Sequence, residues 1–293
     1  MKALKTLSVS IVNFNSGEYL LGCLKSLENL KNEADLDIWI VDNASKDQSL
    51  IKAKEYFPKV HYIECKENLG FGKAQNLALS QVKSEYILIL NPDTQIGPGV
   101  ISTMINFMEE NKLTGALSCK VVMENGKLDW ASHRGFPTPF ASFLYFFLKI
   151  DFFYHLSGRS MDTPHEVDSI SGAFFLTRKF VLDKVGCFDE DFFMYGEDID
   201  LCFRIKECGF KIMYVPTLSI IHHKGISSGL KNHSQGLTTA DLETRERSLD
   251  AFYGAMRIFY KKHMEKKYSF FINWLVYLGI NLKWFLAKRS LSV

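Results

Sequence analysis

The stretch LSVSIVNFNSGEYLLGCLKSLENLKNEADLDIWIVDN, residues 7–43, decides the fold class. Residues 7–13 have the β-branched, apolar pattern of a strand, and leucines then recur near helical spacing from Leu20 to Leu30. Ser16 is a plausible N-cap for this helix, and residues 37–43 return to the pattern of a buried strand. A strand, a helix and a second strand in this order predict a parallel pair joined by a right-handed crossover.

The same alternation continues outward from this unit. Further strands are predicted at 60–65 and 85–94, with helical segments at 47–57 and 68–79. Beyond these, a hairpin is predicted at 115–131, a helix near 197–208, a strand near 211–215 and helical structure over 241–293. We therefore expect an α/β fold with a Rossmann-like, mostly parallel sheet flanked by helices. The predicted division is residues 1–240 for the main domain and 241–293 for a C-terminal helical extension.

Composition narrows the classes of partner and the compartment. The net charge is only +2, which gives no argument for a nucleic-acid partner. Six cysteines form no CxxC pair and no zinc spacing, and are read as reduced thiols. The N-terminus lacks the apolar core and cleavage site of a signal peptide. We expect a cytoplasmic protein.

Two aromatic stretches suggest a membrane surface as a partner. Residues 257–293 carry eight Lys or Arg and one Glu, so the rest of the chain has a net charge of −5. Within them, residues 268–289 mix Trp, Phe and Lys as interfacial helices do, whereas Asn273, Asn281 and Lys283 weigh against a full membrane span. The alternative is a helix packed on the body or at a dimer interface, since a homo-oligomer is possible. The Phe-rich residues 140–156 are either a second lipid-facing surface or a buried core helix.

Polar residues collect where three predicted strands end. The pairs are Asn13 with Asn15, Asp42 with Asn43, and Asn91 with Asp93. Ligands of open α/β sheets bind outside the carboxyl ends of the strands, so these side chains predict a binding site at that edge.

Four motifs carry candidate chemistry, and each has a plain structural alternative. Asp93 in NPDT suits a hard cation such as Mg²⁺ or Mn²⁺ that bridges to phosphates, although NPDT is also good turn chemistry. Glu197, Asp198 and Asp200 in YGEDIDL are candidates for a general base, although acids at a helix start are ordinary capping. The remaining motifs are IHHKGISSG (221–229), a possible imidazole ligand or a surface loop, and NLGFGKAQN (68–76), a Gly-containing turn suited to phosphates.

Taken in order, these segments resemble family 2 of the inverting glycosyltransferases, over roughly residues 7–230. Within that family the chain is most similar to the rhamnosyltransferase-type branch that builds bacterial surface polysaccharides. The segments that carry the resemblance are SIVNFNSGEYLLGCLKSL, VDNASKDQS, NLGFGKAQNLAL, LNPDT, SGAFFLTR, FDEDFFMYGEDIDLCFRIKECGF and HHKGISS. The resemblance implies a GT-A fold, a divalent metal (Mg²⁺ or Mn²⁺), a nucleotide-sugar donor such as dTDP-rhamnose and a lipid-linked acceptor at the inner face of the membrane.

The resemblance also implies roles for individual residues. Asp42 would contact the nucleobase, and Asp198 would be the catalytic base with Glu197 beside it. Asp93 would be the last acid of a metal motif whose first acid is replaced here by Asn91. The metal or diphosphate would also contact His222, with His223 as the alternative. The other donor-binding candidates are Val12, Asn13, Asn15, Asn43, Asn68, Gly70, Lys73 and Asn76.

Other functions remain open at this point. The same fold could use a UDP-linked hexose or N-acetylhexosamine, and a non-catalytic sugar-nucleotide-binding or scaffold protein is a further alternative. A nucleotidyltransferase would carry a Gly-rich signature with basic residues after the first strand, which NFNSGEY does not match. The polar residues 224–240 are predicted to close over the donor and exclude water.

Overall fold

A computed structural model describes residues 4–223 and 242–291, so the predicted closing loop at 224–240 lies outside the described residues. Within them, nine strands form one sheet in the order β3-β2-β1-β4-β8-β6-β9-β5, with β7 beside β9. The strands are β1 (Thr6–Asn13), β2 (Asp35–Asp42), β3 (His61–Glu64), β4 (Tyr86–Leu90), β5 (Thr94–Ile96), β6 (Thr114–Met123), β7 (His165–Val167), β8 (Phe174–Arg178) and β9 (Lys211–His222).

The first four strands are parallel, as the sequence predicts. β1 pairs with β2 and β4, and β2 pairs with β3, in a register that places Asn13 opposite Asp42. β8 runs antiparallel to β4 and to β6, while β6 runs parallel to β9. The carboxyl ends of β1 to β4, β6 and β9 therefore lie at one edge of the sheet.

Helices cover both faces of the sheet. Alternate residues of β4 point to opposite faces, so that Leu88 and Leu90 join one apolar core while Ile87 and Ile89 join the other. The first core includes α1, α2 and α4, and the second includes α3, α6 and α7. The helices are α1 (Tyr19–Glu28), α2 (Ser49–Tyr56), α3 (Phe71–Leu79), α4 (Val100–Glu110), α5 (Pro139–Leu148), α6 (Lys179–Val185), α7 (Glu197–Glu207), α8 (Leu242–Phe259) and α9 (Phe270–Leu291).

Two local predictions differ from the structure. α1 begins at Tyr19, and the Ser16 hydroxyl donates to the Asn13 side chain instead of capping the helix. The predicted hairpin at 115–131 is confirmed only near its tip, where the chain turns after β6 and returns antiparallel. An isolated bridge joins Val122 to Leu128, and Met123 N donates to Lys127 O (2.8 Å). A 3₁₀ turn, Trp130–Ser132, follows, because Asp129 caps it through a hydrogen bond from Ala131 N (3.1 Å).

The C-terminal helices pack on α7. A short π-helical turn, Tyr260–Met264, follows α8, and its residues share an apolar cluster with Phe192, Ile199 and Phe203. His263 Nε2 donates to Oδ1 of the fully buried Asp200 at 2.6 Å. The extension thus shares a core with the main domain; the boundary near residue 240 stays a prediction.

The two aromatic stretches lie at the surface. Of α5, only Ala141 is buried, so the prediction of a buried core helix at 140–156 is wrong. Of the helices in the described ranges, Phe270–Ser290 alone has the length and apolar composition needed to cross a membrane. The asparagines that weigh against a span bind the preceding helical segments. Asn273 accepts from Tyr260 Oη in the π-helical turn, and Asn281 accepts from Arg257 Nη2 in α8, each at 2.6 Å.

Candidate active site

The loops after β1 and β2 are tied together by buried side chains. Asn13 Nδ2 donates to Asp42 Oδ1 at 2.7 Å, and Ser45 N donates to Asp42 Oδ2 at 3.0 Å. Asn15 has a left-handed backbone (φ 49°), and its side-chain oxygen accepts from Lys46 N at 2.7 Å. The Asp42 carboxylate is therefore fixed at the sheet edge by two donors.

Val12 contributes to this edge only through its backbone. Its side chain packs in a core cluster with Val41, Ala74 and Ala78.

The turn before α3 is held from both sides. Asn43 Nδ2 donates to Asn68 Oδ1 (2.9 Å) and to Gly70 O (3.1 Å). On the other side, Phe71 N donates to Phe193 O at 2.8 Å. Gly70 has φ +84°, and a Cβ at this position would lie 2.1 Å from Phe193 O, so only glycine allows the two segments to approach this closely.

Two further predicted donor-binding residues lie on α3. Lys73 is exposed on the helix. Asn76 binds the backbone of Phe188 twice, donating to its carbonyl at 2.8 Å and accepting from its N–H at 3.0 Å. Asn76 thus positions the segment that leads to the acidic motif.

The Asp93 motif meets His222 at the end of β9. His222 Nε2 lies 3.2 Å from Asp93 Oδ1 and 3.3 Å from Asn91 Nδ2, and His222 Nδ1 lies 2.9 Å from Asp129 Oδ2. The neighbouring His223 ring instead contacts Glu124 and lies 5.1 Å from the Tyr19 ring. Of the two histidines, His222 is the one whose imidazole faces Asp93.

The negative charge of Asp93 and Asp129 around His222 favours a cation at this position. Burial by itself would lower the pKa of His222, but the carboxylates of Asp93 and Asp129 outweigh burial and raise it to about 9. A metal ion on the neutral imidazole would take the place of the proton on Nε2 and would be stabilised by the same negative charge.

A divalent metal fits this arrangement if it is shared with a ligand. Asp93 supplies a carboxylate oxygen and His222 an imidazole nitrogen, both common ligands of Mn²⁺ and, for the oxygen, of Mg²⁺. No group of three or more His, Cys, Asp or Glu side chains gathers for a metal within residues 4–223 and 242–291. Diphosphate oxygens and water would have to complete the coordination. Asp129 would orient the imidazole, as carboxylates behind metal-bound histidines do.

The acidic motif opens α7. It follows two residues with left-handed backbone, Tyr195 (φ 70°) and Gly196 (φ 81°). Asp198 Oδ2 accepts from Arg134 Nη2 at 2.7 Å, and its Oδ1 accepts from Ile199 N at 2.8 Å. Glu197 is buried, and no described residue hydrogen-bonds its Oε2.

Burial, and then the charge of Asp198, raise the pKa of Glu197 above its usual range. The third acid, Asp200, is bound by Arg204 and His263 and serves packing instead.

The start of α3 lies between the two acidic groups. A Cβ added to Gly72 would lie 3.7 Å from the Cβ of Glu197. One added to Gly172 would lie 2.9 Å from the Phe71 ring and 3.7 Å from the Asn91 side-chain oxygen. Glu197 adjoins Asp198 in the chain and Asn91 lies two residues before Asp93, so these contacts bring the two acidic motifs toward the same part of the molecule.

Two residues of this site were missed by the sequence analysis. Asp129 and Arg134 lie in KLDWASHRG, which has no motif that indicates a function. Each reaches its partner across a long stretch of chain, 93 residues to His222 and 64 residues to Asp198. No local pattern records such a contact.

Three features together define a GT-A type of glycosyltransferase. The sheet is Rossmann-like with polar residues at the carboxyl ends of its strands, an Asp–His pair suits a metal and a diphosphate, and a separate acid lies at the start of a helix. The family model of glycosyl transferase family 2 matches residues 8–186. This chain belongs to glycosyl transferase family 2, and it is an enzyme of the hexosyltransferase class.

The relatives found among characterised proteins include rhamnosyltransferases. N-acetylglucosaminyl-diphospho-decaprenol L-rhamnosyltransferase of Mycobacterium tuberculosis is 29% identical over 242 residues, which cover 76% of this chain and 78% of that protein. Rhamnosyltransferase WbbL of Escherichia coli K12 is 31% identical over 223 residues, which cover 73% and 82%. These similarities confirm the resemblance to the rhamnosyltransferase branch.

Solved structures confirm the GT-A-like fold. GalNAc-T7, solved with UDP, GalNAc and Mn²⁺, matches with a TM-score of 0.59 at 17% identity, over 85% of this chain and 48% of that chain. Staphylococcus aureus TarS 1–349, solved with UDP, matches with a TM-score of 0.52 at 18% identity, over 86% and 65%. This chain therefore corresponds to a part of each of those proteins.

Proposed function

We propose that this enzyme transfers rhamnose from dTDP-rhamnose to a hydroxyl group of a lipid-linked glycan, with inversion at the anomeric carbon. The observation that carries the proposal is the pair of Asp93 with His222 together with the pair of Asp198 with Arg134. Residues next to these pairs approach the start of α3: Glu197 lies near Gly72, and Asn91 lies near Gly172, which adjoins Phe71. The names of the relatives support the donor and the acceptor class.

In this proposal, each half of the site has one task. The edge formed by Asn13, Asp42 and Asn43 binds the nucleoside, and Asp93 with His222 holds the diphosphate end. A bound Mg²⁺ or Mn²⁺ supplies positive charge to the leaving diphosphate. Asp198 accepts the proton of the attacking hydroxyl, which a single displacement requires because the hydroxyl is a weak nucleophile.

A donor panel tests the proposal. Purified protein is incubated with dTDP-rhamnose, UDP-glucose, UDP-N-acetylglucosamine or GDP-mannose and a short-chain diphospholipid-linked acceptor, with Mn²⁺, Mg²⁺ or chelator. Release of the nucleoside diphosphate and the glycolipid product are both measured. The variants are Asp93→Asn and Asp198→Asn, and the matched control is Asp183→Asn, a surface acid that forms an ion pair with Lys179.

Each result has a distinct meaning. We expect metal-dependent transfer from dTDP-rhamnose, lost in both site variants and kept in the control. Transfer from a UDP-linked sugar alone would overturn rhamnose as the donor and retain the class of enzyme. Binding of a sugar nucleotide without turnover would favour a non-catalytic binding protein.

We propose further that α9 lies on an anionic membrane surface. Its polar groups face the protein: besides Asn273 and Asn281, Trp284 Nε1 donates to Asp250 at 2.6 Å. From Phe270 to Leu286 its exposed side chains are mainly large and apolar, whereas an ordinary surface helix exposes polar ones. The exposed side chains of this face are Phe270, Phe271, Trp274, Leu275, Leu278, Leu282, Phe285 and Leu286.

α5 extends this apolar surface. The Phe147 ring lies 3.5 Å from the position of a Cβ added to Gly279, and Lys283 Nζ lies 5.0 Å from the centre of that ring. The neighbouring Phe140 and Phe143 are more than half exposed. With Lys283 and Arg289 beside it, the joint surface combines apolar area with positive charge, which suits anionic lipid headgroups and brings the site near a lipid-linked acceptor.

Vesicle sedimentation tests this surface. We expect the protein to sediment with phosphatidylglycerol-containing vesicles and less with phosphatidylcholine alone. Leu275→Ser combined with Leu278→Ser should abolish sedimentation. Ile51→Ser combined with Tyr56→Ser, which alters two exposed apolar side chains on α2, should not. If neither the wild type nor the α9 variant binds vesicles, and the wild type is a dimer that the variant does not form, the surface binds a second copy of the chain.

A further inference from the structure

We propose that Arg134 is a positioning residue that holds the Asp198 carboxylate in the orientation needed for catalysis. The inference rests on the proposed function, since it assigns a role toward the base of that reaction. It begins from one contact, Arg134 Nη2 to Asp198 Oδ2 at 2.7 Å, between side chains that are only 11% and 13% exposed.

Arg134 is itself fixed by its backbone. Its N–H donates to Ser169 O at 3.1 Å, and its carbonyl accepts from Asp168 N (3.0 Å) and Ser169 N (2.9 Å). These bonds anchor the residue beside β7, on an element separate from α7. The guanidinium therefore reaches Asp198 from a rigid support, and it fixes the carboxylate relative to the sheet.

The charges around Asp198 explain why a cation is needed there. Glu197 is adjacent and buried, and no described residue offers its Oε2 a hydrogen bond. Two neighbouring carboxyl groups in a site of low dielectric cannot both ionise easily. Arg134 supplies the compensating charge, and it stays protonated because Asp198 holds its pKa above the usual range despite the opposing effect of burial.

A second buried arginine provides the contrast. The guanidinium of Arg178 donates to the backbone carbonyls of Met108, Lys112 and Thr114. This arginine joins elements of the fold, and its contacts include none of the acids of the site. Replacing it should reduce stability, whereas replacing Arg134 should alter catalysis in a way that depends on pH.

The test compares Arg134→Gln, Arg134→Lys, Arg178→Gln and wild type. We expect Arg134→Gln to lower kcat about 10- to 100-fold with little change in the KM of the donor, because the donor-binding edge is not in contact with Arg134. The acidic limb of its pH profile should move to higher pH, because an unpaired base stays protonated longer. Arg134→Lys keeps the charge and should keep the wild-type acidic limb. Arg178→Gln should lower the melting temperature and leave the shape of the pH profile unchanged.

A second measurement does not depend on turnover. A water-soluble carbodiimide modifies protonated carboxyl groups, and peptide fragmentation distinguishes Asp198 from Glu197. Modification of Asp198 should extend to higher pH in Arg134→Gln than in Arg134→Lys.

If the wild type is inactive with every donor, the proposed function is refuted. The carbodiimide labelling of Asp198 then tests the role of Arg134 separately. An active wild type whose Arg134→Gln variant keeps its kcat, its acidic limb and its labelling would overturn the role of Arg134.

Discussion

Substituting Gly70 tests whether the close approach between the turn before α3 and the acidic segment sets the geometry of the site. An added Cβ would lie 2.1 Å from Phe193 O and 2.9 Å from two further atoms of Phe193. Gly209 offers a matched control, because its φ of +85° equals that of Gly70 (+84°) within a degree and nothing lies within 4 Å of its added Cβ. It lies before β9, at the opposite edge of the sheet from His222.

Gly70→Ala and Gly209→Ala both place alanine at a positive φ, but only Gly70→Ala also creates a steric clash. A positive φ costs alanine about 1 kcal/mol at Gly209. The cost is at least as large at Gly70, because its ψ of 176° lies in a region that is almost restricted to glycine. At Gly70 the segments must also separate by roughly 1 Å, and such overpacking costs about 1–3 kcal/mol. The hydrogen bond from Phe71 N to Phe193 O would weaken, which adds about 1 kcal/mol. We therefore expect Gly70→Ala to be less stable than Gly209→Ala by about 2–4 kcal/mol.

Thermal melts and steady-state kinetics measure both consequences. At roughly 2 °C per kcal/mol for a chain of this size, the melting temperatures should differ by about 4–8 °C. A shift of about 1 Å in a substrate-positioning loop reduces kcat/KM on the order of 100-fold, and Gly209→Ala should change it less than about twofold. Equal stability and equal kcat/KM in the two variants would refute the claim that this contact fixes the site.

Three further results follow from individual contacts. Asp129→Asn should lower the affinity for the activating metal about 10- to 100-fold and leave the fold intact, because the His222 ring loses its orienting carboxylate. A titration of turnover with Mn²⁺ measures this affinity. Glu197→Gln should stabilise the protein in alkaline solution: since the pKa of Glu197 is raised from 4.5, its ionisation opposes folding, and this penalty is absent below pH 4.5 and grows above it. Melts at about pH 5 and about pH 9 should therefore show a gain for the variant that is larger at the higher pH, and a constant difference would contradict the assignment. His263→Leu should lower the free energy of unfolding by about 1–3 kcal/mol, because the buried Asp200 loses a hydrogen bond. A melt unchanged from wild type would show that the contact between the π-helical turn and α7 does not stabilise the protein.

The sequence predicts the sheet edge well because the signal is periodic. Runs such as EYILIL end in polar residues, and parallel strands place their carboxyl ends together whatever helices join them. Asn13, Asp42 and Asp93 were found in this way, without knowledge of the order of the strands. The same signal cannot show which way a side chain on a helix points across a loop, so Asn76 was predicted as a donor contact although it binds the Phe188 backbone.

The amino-acid sequence by itself determined the α/β class, the polar edge, the acids of NPD and GED, and the two aromatic stretches, since each is written in the local order of residues. Only the tertiary structure decided that Asp129 lies behind His222 and that Arg134 binds Asp198. It alone showed that the asparagines of α9 bind Tyr260 and Arg257 and that its phenylalanines and several of its leucines are exposed. The physical reason is that these contacts join residues far apart in the chain, and their distances depend on how loops and helices pack, which no periodicity encodes.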